Sequence, residues 1–296
     1  MGLFVVAQID LHLHTTCSDG SLTPRELVDK VQALGIKTIA ITDHDEICGC
    51  QEAVDYGKEK KIAVIPGVEL SIDYVLEGKN HLHLLGLFID VKNDVLNTAL
   101  EQLRSARRGR AQKIIDKLQQ IGYNLSYEEL SKFAGNGSIG RPHVAALLKQ
   151  KGIIKQEAEA FRYLLSKGKP AYVAKEKLDI KTAIRVIHQA KGLAILAHPI
   201  SLGYQTYDLL GKEILKLCEL GLDGIEAYYS RQDRYLTKWL IEFAEQHHLA
   251  ISGGSDFHGN AKPDIQPGSG YGNLRIPYHV YENIEAYWRQ KYNGTT

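Results

Sequence analysis

Apolar runs alternate with helical patterns over the first part of the chain. Four largely apolar segments predict strands at residues 5–13, 36–42, 62–68 and 81–89. The sequence T-P-R-E at positions 23–26 has the form of a capping box with Pro at the first helical position, and apolar residues then recur at helical spacing. A second helix is predicted near residues 49–60. Buried strands separated by helices are typical of a parallel sheet or barrel.

The pattern is different between residues 96 and 178, where helices follow one another without an intervening strand. Helices are predicted there at residues 96–121, 126–133, 141–151 and 156–165. The alternation then resumes, with strands predicted at residues 192–197, 224–227 and 249–252, and with a closing strand and helix after Gly272. We therefore predict an α/β barrel formed by residues 1–95 and 179–296, interrupted by a helical insertion domain at residues 96–178.

Composition indicates the class of protein and the compartment in which it is expected. The 296 residues are 44% hydrophobic and 24% charged, as in ordinary globular proteins. The four cysteines form no C-x-x-C pair or spaced framework, so free thiols in a reducing compartment are expected. Neither an apolar run of about 20 residues nor a signal peptide is evident, and we expect a cytoplasmic protein that does not bind membranes.

Charge is distributed unevenly, although the net charge is only +1. Residues 96–178 contain 16 Lys and Arg against 7 Asp and Glu, which leaves the remainder of the chain with a net charge of −8. This distribution suggests that the acidic part holds cations and that the basic insertion holds an anionic substrate. A solvated basic helical face would have the same composition.

Histidine and carboxylate side chains collect at the ends of the predicted strands, where α/β barrels place their active sites. His12 and His14 share one face of the first strand, because alternate strand residues point the same way. Asp10 lies deeper on that face, either as a partner of a ligand histidine or as a hydrogen-bonded core acid. The candidate ligands are His12, His14, Asp19, His44, Glu69, His83 or His81, His198, Asp256 and His258.

These candidate ligands indicate a hydrolytic metal centre. Nine ligands exceed the needs of one ion and suit two or three ions that share a bridging carboxylate, for which Glu69 is the candidate. Imidazole and carboxylate ligands without thiolate favour Mn, Fe or Zn over Mg or Ca. Such a cluster lowers the pKa of a bound water towards about 7 and holds the attacking and leaving oxygens. Tyr228 and Tyr229 follow another strand end, where they could line the pocket, stack on a base, or pack in the core or at the rim.

Six motifs between residues 10 and 259 carry a family resemblance. They are D-L-H-L-H-T-T-C-S-D-G, I-T-D-H-D, P-G-V-E-L, H-L-L-G, L-A-H-P and G-G-S-D-F-H-G. With these motifs the chain resembles the PHP (polymerase and histidinol phosphatase) family. G-R-P-H at positions 140–143 and the preceding Arg-rich helix are similar to the subgroup of nucleotide phosphatases and 5′-3′ exoribonucleases. The resemblance implies a distorted (β/α)7 TIM-like barrel, the PHP fold, with a helical insertion.

The resemblance also implies a trinuclear metal centre and assigns its ligands. The first ion would be held by His12, His14, Glu69 and Asp256, the second by Asp19, His44 and His258, and the third by Glu69, His83 and His198. His83 is chosen over His81 only by the family's H-x-x-G spacing to Gly86. The implied ions are three Mn²⁺, with Fe or Zn as partial occupants.

Substrate residues follow from the same resemblance. An Arg-x-x-Arg segment and a Gly-Arg-x-His loop would contact substrate phosphate, since the guanidinium fork suits phosphate oxygens. A solvated helix face is the alternative for Arg107 and Arg108, and His143 could instead cap the helix that it begins. The candidate substrate-binding residues are Asp19, Arg107, Arg108, Arg110, Arg141, His143 and His258. His143 and His258 are also the candidate catalytic acids.

The activity implied by the resemblance is metal-dependent phosphoester hydrolysis, in which a metal-bridging hydroxide attacks phosphorus in line. Two substrates fit: a 3′,5′-bisphosphorylated nucleotide such as pAp, which would lose its 3′ phosphate, and a short RNA degraded from its 5′ end. The alternatives are a histidinol-phosphate phosphatase, an amidohydrolase and a non-catalytic polymerase-accessory module. The basic insertion argues against the first of these, and the complete ligand set argues against the last. No readout of DNA sequence is expected.

Overall fold

The computed structural model describes residues 8–76, 81–134 and 139–294. They form two compact units. The barrel unit comprises Met1–Ala99 and Lys177–Thr296, and the helical unit comprises Leu100–Glu176. Within the described residues, no helix is both long and apolar enough to cross a membrane.

An eight-stranded sheet, with seven of its strands in one continuous path, forms the barrel unit. The strands are β1 (Ile9–Leu13), β2 (Thr38–Ile41), β3 (Ala63–Asp73), β4 (Leu82–Leu87), β5 (Leu178–Asp179), β6 (Leu193–Leu196), β7 (Gly224–Tyr229) and β8 (Ala250–Gly254). The short β5 pairs with β3 beside this path. A parallel bridge between Leu13 and Phe257 brings the first and last strands together, so the sheet is nearly closed. The seven-stranded barrel is confirmed, while residues 5–7 of the first predicted strand lie outside the described residues.

One strand of the barrel runs against the others, so the expectation of a wholly parallel sheet is wrong. β4 is antiparallel to both β3 and β6. β3 continues past Glu69 to Asp73, and the chain re-enters the sheet at Leu82, too soon for the crossover that a parallel pair needs. Glu69 therefore lies within its strand rather than at the end. His83 lies near the amino end of β4, which the reversed direction places at the carboxyl edge of the parallel strands.

The helices of the barrel unit follow the predicted alternation. They are α1 (Pro24–Ala33), α2 (Cys50–Lys60), α7 (Ile180–Gln189), α8 (Tyr207–Glu219), α9 (Arg234–Gln246) and α10 (Tyr278–Asn293). The predicted capping box is present, because the Thr23 hydroxyl accepts the Glu26 N–H and the Glu26 carboxylate accepts the Thr23 N–H. The predicted closing strand is wrong, because residues 273–277 pair with no strand. Pro277 occupies the N-cap position of α10, and a proline has no N–H to donate to a neighbouring strand.

A buried apolar core packs between the strands and α10. Leu11, Leu85 and Ile195 come from three different strands and have no exposed surface, and Ile284 of α10 joins the same cluster. Because strand residues alternate in direction, the polar positions between such residues are held on the opposite face. The core thus fixes the direction in which the imidazoles of β1 point.

The helical unit has a separate apolar core. Its helices are the rest of α3 (Asp94–Gln120), which begins in the barrel unit, α4 (Tyr127–Ala134), α5 (Arg141–Gln150) and α6 (Glu157–Ala160). The last predicted helix ends as a π-helical turn at Phe161–Leu165. Leu118, Leu130, Leu148 and Leu165 are buried together at the centre of this unit. Its described residues contain no strand, as the sequence predicts.

Candidate metal centre

Two imidazoles of β1 meet two carboxylates at the carboxyl edge of the barrel. His12 Nε2 and His14 Nε2 lie 3.4 and 3.3 Å from Glu69 Oε2. The same two nitrogens lie 3.8 and 3.3 Å from Asp256 Oδ1, in the loop after β8. The structure therefore brings together the four side chains that the family resemblance assigns to the first ion.

A tight turn after β1 carries Asp19 to a second group. Asp19 Oδ1 lies 3.3 Å from His258 Nε2, and Asp19 Oδ2 lies 4.0 Å from His44 Nε2. A side chain at Gly20 would place its Cβ 2.4 Å from the His14 carbonyl oxygen, so only glycine fits there. The members assigned to the second ion are again neighbours.

Asp43, which follows β2, fixes this turn and was not identified from the sequence as a site residue. Its Oδ1 accepts the Thr15 N–H at 2.8 Å and the Ser18 hydroxyl at 2.5 Å, and its Oδ2 accepts the Thr15 hydroxyl at 2.6 Å. The carboxylate is fully buried. Asp43 thus holds the segment that presents Asp19.

Glu69 is the centre of the third group. Its Oε1 lies 2.7 Å from His83 Nδ1 and 2.9 Å from His198 Nε2. Its Oε2 lies 3.0 Å from His44 Nδ1. His81, the alternative to His83, is exposed. Both oxygens of one carboxylate therefore face histidines from several strands, which is the arrangement expected of a bridging ligand.

The charges of these groups suit cation binding. Burial raises the pKa of Glu69, but the imidazoles of His44, His83 and His12 outweigh that effect and hold the pKa well below its usual value. Burial lowers the pKa of His14 and of His83 to about 3. The carboxylate is therefore ionised at neutral pH, and these two imidazoles are neutral, which is the form that binds a metal.

Several buried polar atoms of this edge make no hydrogen bond within the described residues. They are His12 Nε2, both ring nitrogens of His14, His198 Nδ1 and Glu69 Oε2. Buried polar atoms in proteins almost always have a partner, so such a cluster indicates a bound ligand. Three sets of donor atoms lie within 4.8 Å of one another: His14, Asp19, His44 and His258; His12, His14 and Asp256; and His44, Glu69 and His83. Imidazole and carboxylate donors at these separations fit divalent ions.

Glu226 of β7 is a further site residue that the sequence analysis missed. Its Oε1 lies 2.9 Å from His12 Nδ1, and its Oε2 accepts the His198 N–H at 2.6 Å. A lone acid within the apolar strand predicted at residues 224–227 was the available signal. Asp10, the acid considered instead, accepts the backbone N–H groups of Ser255 and Gly268 at 2.9 and 2.6 Å. Asp10 Oδ1 also accepts the His12 N–H at 3.3 Å, so Asp10 is a hydrogen-bonded core acid that contacts the backbone of a candidate ligand. Burial raises its pKa to about 6.

Two residues contact Asp256 on the side away from the histidines. The Tyr229 hydroxyl donates to Asp256 Oδ2 at 3.0 Å, and Lys262 Nζ lies 2.7 Å from the same oxygen. Tyr229 is buried and therefore lines the site rather than its rim. Lys262 was not identified from the sequence, because nothing in its loop distinguishes it from other surface lysines.

The candidate substrate residues of the helical unit divide into two groups. Arg110 Nε donates to the Val173 carbonyl at 2.9 Å, and Arg141 donates to the Leu165 carbonyl at 3.1 Å. Burial, together with the positive charges of Arg141 and Arg107, lowers the pKa of Arg110 to about 10. Arg107, Arg110 and Arg141 thus concentrate positive charge. Arg108 instead pairs with the exposed Glu101 at 2.7 Å.

His143 lies in the first turn of α5 and makes a hydrogen bond with the residue that precedes the helix. Its Nδ1 accepts the Gly140 N–H at 3.1 Å. This is the capping alternative left open by the sequence. Because Nδ1 accepts, the proton of a neutral ring lies on Nε2.

Comparisons with known proteins show which family the chain is similar to. The family model described as "PHP domain" matches residues 10–255. A 5′-3′ exoribonuclease of Haemophilus influenzae is 38% identical over 253 residues, covering 84% of this chain and 89% of that protein. A 3′,5′-nucleoside bisphosphate phosphatase of Chromobacterium violaceum is 33% identical over 261 residues, covering 86% of this chain and 88% of that protein. A solved Bifidobacterium adolescentis structure, assigned as a metal-dependent phosphoesterase, has a TM-score of 0.79 at 27% identity, covering 94% of this chain and 95% of that one.

Proposed function

This chain belongs to the PHP domain family, and on that premise we propose that it hydrolyses a 3′-phosphoester bond in 3′,5′-bisphosphorylated nucleotides, in short RNA from the 5′ end, or in both. The observation that carries the proposal is the convergence of four imidazoles on the two oxygens of Glu69. The similarity to an exoribonuclease and to a bisphosphate phosphatase supports the choice of substrates.

Three metal ions would occupy the carboxyl edge of the barrel. The proposed ligands are His12, His14, Glu69 and Asp256 for the first, Asp19, His44 and His258 for the second, and Glu69, His83 and His198 for the third. Imidazole and carboxylate donors without thiolate suit Mn, Fe or Zn, and we propose Mn²⁺, with Fe or Zn in part, because the family resemblance implies it. When bound, such ions lower the pKa of a coordinated water and neutralise charge that develops on phosphate oxygens.

The two candidate acids differ in which ring nitrogen holds the proton. His258 Nδ1 faces the Asp256 carbonyl oxygen at 2.9 Å and must donate to it, which leaves a lone pair on Nε2. That form favours the ligand role of His258 over the acid role. In His143 the proton of the neutral ring lies on Nε2, the form that can donate a hydrogen bond to a phosphate oxygen. A leaving-group acid would be the imidazolium, whose Nδ1 could not accept the Gly140 N–H, so we place His143 in substrate phosphate binding ahead of acid catalysis.

Arg110 and Arg141 would bind substrate phosphate in this proposal. Backbone carbonyls hold both guanidinium groups, and no carboxylate ion pair with either is found among the described residues. Such positive charge favours an anion with paired oxygens, which a phosphate provides. Arg107 adds to the same positive field. Arg108 pairs with the exposed Glu101, which also pairs with Arg104.

Product release from three substrates tests the proposal. Purified protein with added Mn²⁺ would be given pAp, a 5′-phosphorylated oligoribonucleotide and histidinol phosphate, with a 5′-hydroxyl oligoribonucleotide of the same sequence as a control. We expect turnover of pAp, of the 5′-phosphorylated RNA or of both. Turnover of histidinol phosphate alone would establish the alternative phosphatase. Inactivity on all substrates, with ions shown to be bound, would overturn the catalytic proposal.

A further inference from the structure

We infer that Glu226 is a positioning residue that orients two metal ligands at once, His12 through its ring and His198 through its backbone. The inference rests on the proposed metal centre and adds a carboxylate that contacts no ion itself. Glu226 lies in the middle of β7 and has no exposed surface. A charged group so deeply buried needs strong partners, and both of its oxygens have one.

The contact with His12 determines which ring nitrogen is free to bind an ion. Glu226 Oε1 lies 2.9 Å from Nδ1 of His12, and an ionised carboxylate can only accept. The proton of His12 therefore belongs on Nδ1. Nε2 then carries the lone pair, and it is Nε2 that lies 3.4 Å from Glu69 and 3.8 Å from Asp256. A carboxylate behind a histidine in this way fixes both ring orientation and tautomer.

The contact with His198 restrains an unusual backbone. His198 has φ of 31°, in the left-handed region that non-glycine residues seldom adopt. Glu226 Oε2 accepts the N–H of this residue at 2.6 Å. With the backbone held in this way, His198 Nε2 lies 2.9 Å from Glu69 Oε1. One carboxylate thus orients a ligand assigned to the first ion and another assigned to the third.

Glu226→Gln separates this role from simple packing, because the two side chains have the same shape. The amide has only one oxygen, and the His198 N–H needs it. The amide nitrogen then faces Nδ1 of His12, which must accept, so the imidazole proton moves to Nε2 and blocks the position that would bind the ion. Glu213→Gln is the matched control: Glu213 is also buried in the barrel unit, and it accepts from Tyr74 and Tyr204 at 2.6 and 2.8 Å.

The experiment compares Mn²⁺ binding and imidazole tautomers in the full chain. Binding is measured by titration calorimetry and by the metal content of dialysed protein. We expect Glu226→Gln to weaken Mn²⁺ binding by about 10- to 100-fold and to retain fewer ions, as for other residues that orient ligands. Glu213→Gln should keep the wild-type affinity and ion content. Nitrogen-15 NMR of the metal-free wild type, at a pH high enough for the His12 ring to be neutral, should show its single proton on Nδ1.

Each other result has a separate meaning. Wild-type affinity and ion content in a folded Glu226→Gln would overturn the positioning role, while a wild type that binds no ions would instead refute the proposed metal centre. If Glu226→Gln does not fold, the NMR measurement on the wild type decides. Protonation of His12 on Nε2 would overturn the inference, and protonation on Nδ1 would support it.

Discussion

Each edge of the barrel contains a buried carboxylate, but the two carboxylates differ in their hydrogen-bond partners. At the amino edge, Asp223 lies just before β7, and its Oδ2 accepts the Ala194 N–H at 2.8 Å and contacts His188 Nε2 at 2.7 Å. Its Oδ1 pairs with Lys291. At the carboxyl edge, Glu69 faces imidazoles, and its Oε2 makes no hydrogen bond within the described residues.

This difference distinguishes a structural carboxylate from a ligand-binding one. Burial raises the pKa of Asp223, but His188 and Lys291 outweigh it and hold the pKa below its usual value. Protein groups therefore complete the environment of that carboxylate. The environment of Glu69 is less complete, because its Oε2 and ring nitrogens of the neighbouring His12 and His14 are buried without a hydrogen bond within the described residues, as expected of atoms that bind cations. Burial of a charge alone therefore does not distinguish the two edges, whereas the cluster of imidazole and carboxylate atoms without a hydrogen bond at the carboxyl edge does.

Glu69→Gln should produce the largest effect, because it removes the charge that the proposed ions share. We expect loss of more than one ion and a decrease in kcat/KM of about 10³-fold, or about 4 kcal/mol. Metal analysis and steady-state kinetics measure the two effects. Glu213→Gln serves as the control and should retain its ions. An unchanged ion content in Glu69→Gln would show that Glu69 does not hold more than one ion, and the proposed difference between Glu69 and Asp223 would then be wrong.

Asp223→Asn should affect stability and leave the ions in place. Removing one member of a buried ion pair is costly, and because His188 and Lys291 are partly exposed we expect a loss of about 2 kcal/mol in the free energy of unfolding at pH 7. The folded-state pKa is lowered, so this contribution is present above the ordinary value of 3.8 and is lost as the pH falls through the folded-state pKa. Denaturant unfolding at several pH values should show the difference narrowing in acid. Loss of metal would contradict the structural assignment of this edge.

Arg141→Ala extends the contrast to the helical unit, where positive rather than negative charge is concentrated. We expect KM to rise about 10-fold, or about 1.4 kcal/mol, with unchanged metal content, because a charged hydrogen bond to substrate phosphate is lost. Steady-state kinetics and metal analysis test this expectation. Arg162→Ala, an exposed arginine of the same unit, is the control. A change confined to metal content would refute the phosphate-binding role.

Thr23→Ala should have the smallest effect and is a structural change near the carboxyl edge. It removes the side-chain oxygen that caps α1, and we expect a loss of about 1 kcal/mol in the free energy of unfolding. Ion content and kcat should match the wild type. Thermal or denaturant unfolding beside metal analysis measures both. If Thr23→Ala lost ions, general destabilisation of the carboxyl edge, rather than removal of a specific ligand, would explain ion loss in the other variants.

Much of the fold could be predicted because local signals agreed with the tertiary structure. The capping box at Thr23 and the continuous apolar strands gave the alternation of helices and strands directly. The direction of β4 could not be predicted, because an apolar run has the same pattern in either direction. As a result, Glu69 and His83 were identified as candidate ligands, although the reason given for their position, a strand end in a parallel sheet, was wrong for both.

The residues that support the candidate ligands were harder to predict than the ligands. His12, His14 and Asp256 stand in distinctive motifs, whereas Glu226 is a single acid in an apolar strand. Its contacts with His12 and His198 join residues more than 200 and nearly 30 positions apart, so no local pattern records them. Asp43 was missed for the same reason. Pairings of this kind depend on the closed sheet rather than on sequence spacing.

His198 and Asp256 have left-handed backbones, with φ of 31° and 58°. These conformations lower the thermal stability of the protein at two residues that are also proposed ligands. Each such conformation costs about 1 to 3 kcal/mol in a non-glycine residue. Replacing either residue by glycine would relieve this cost in the ion-free protein, while removing a proposed ligand. Laboratory evolution for heat resistance under chelating conditions should therefore lose these two residues early, and the same selection with ions supplied should keep them.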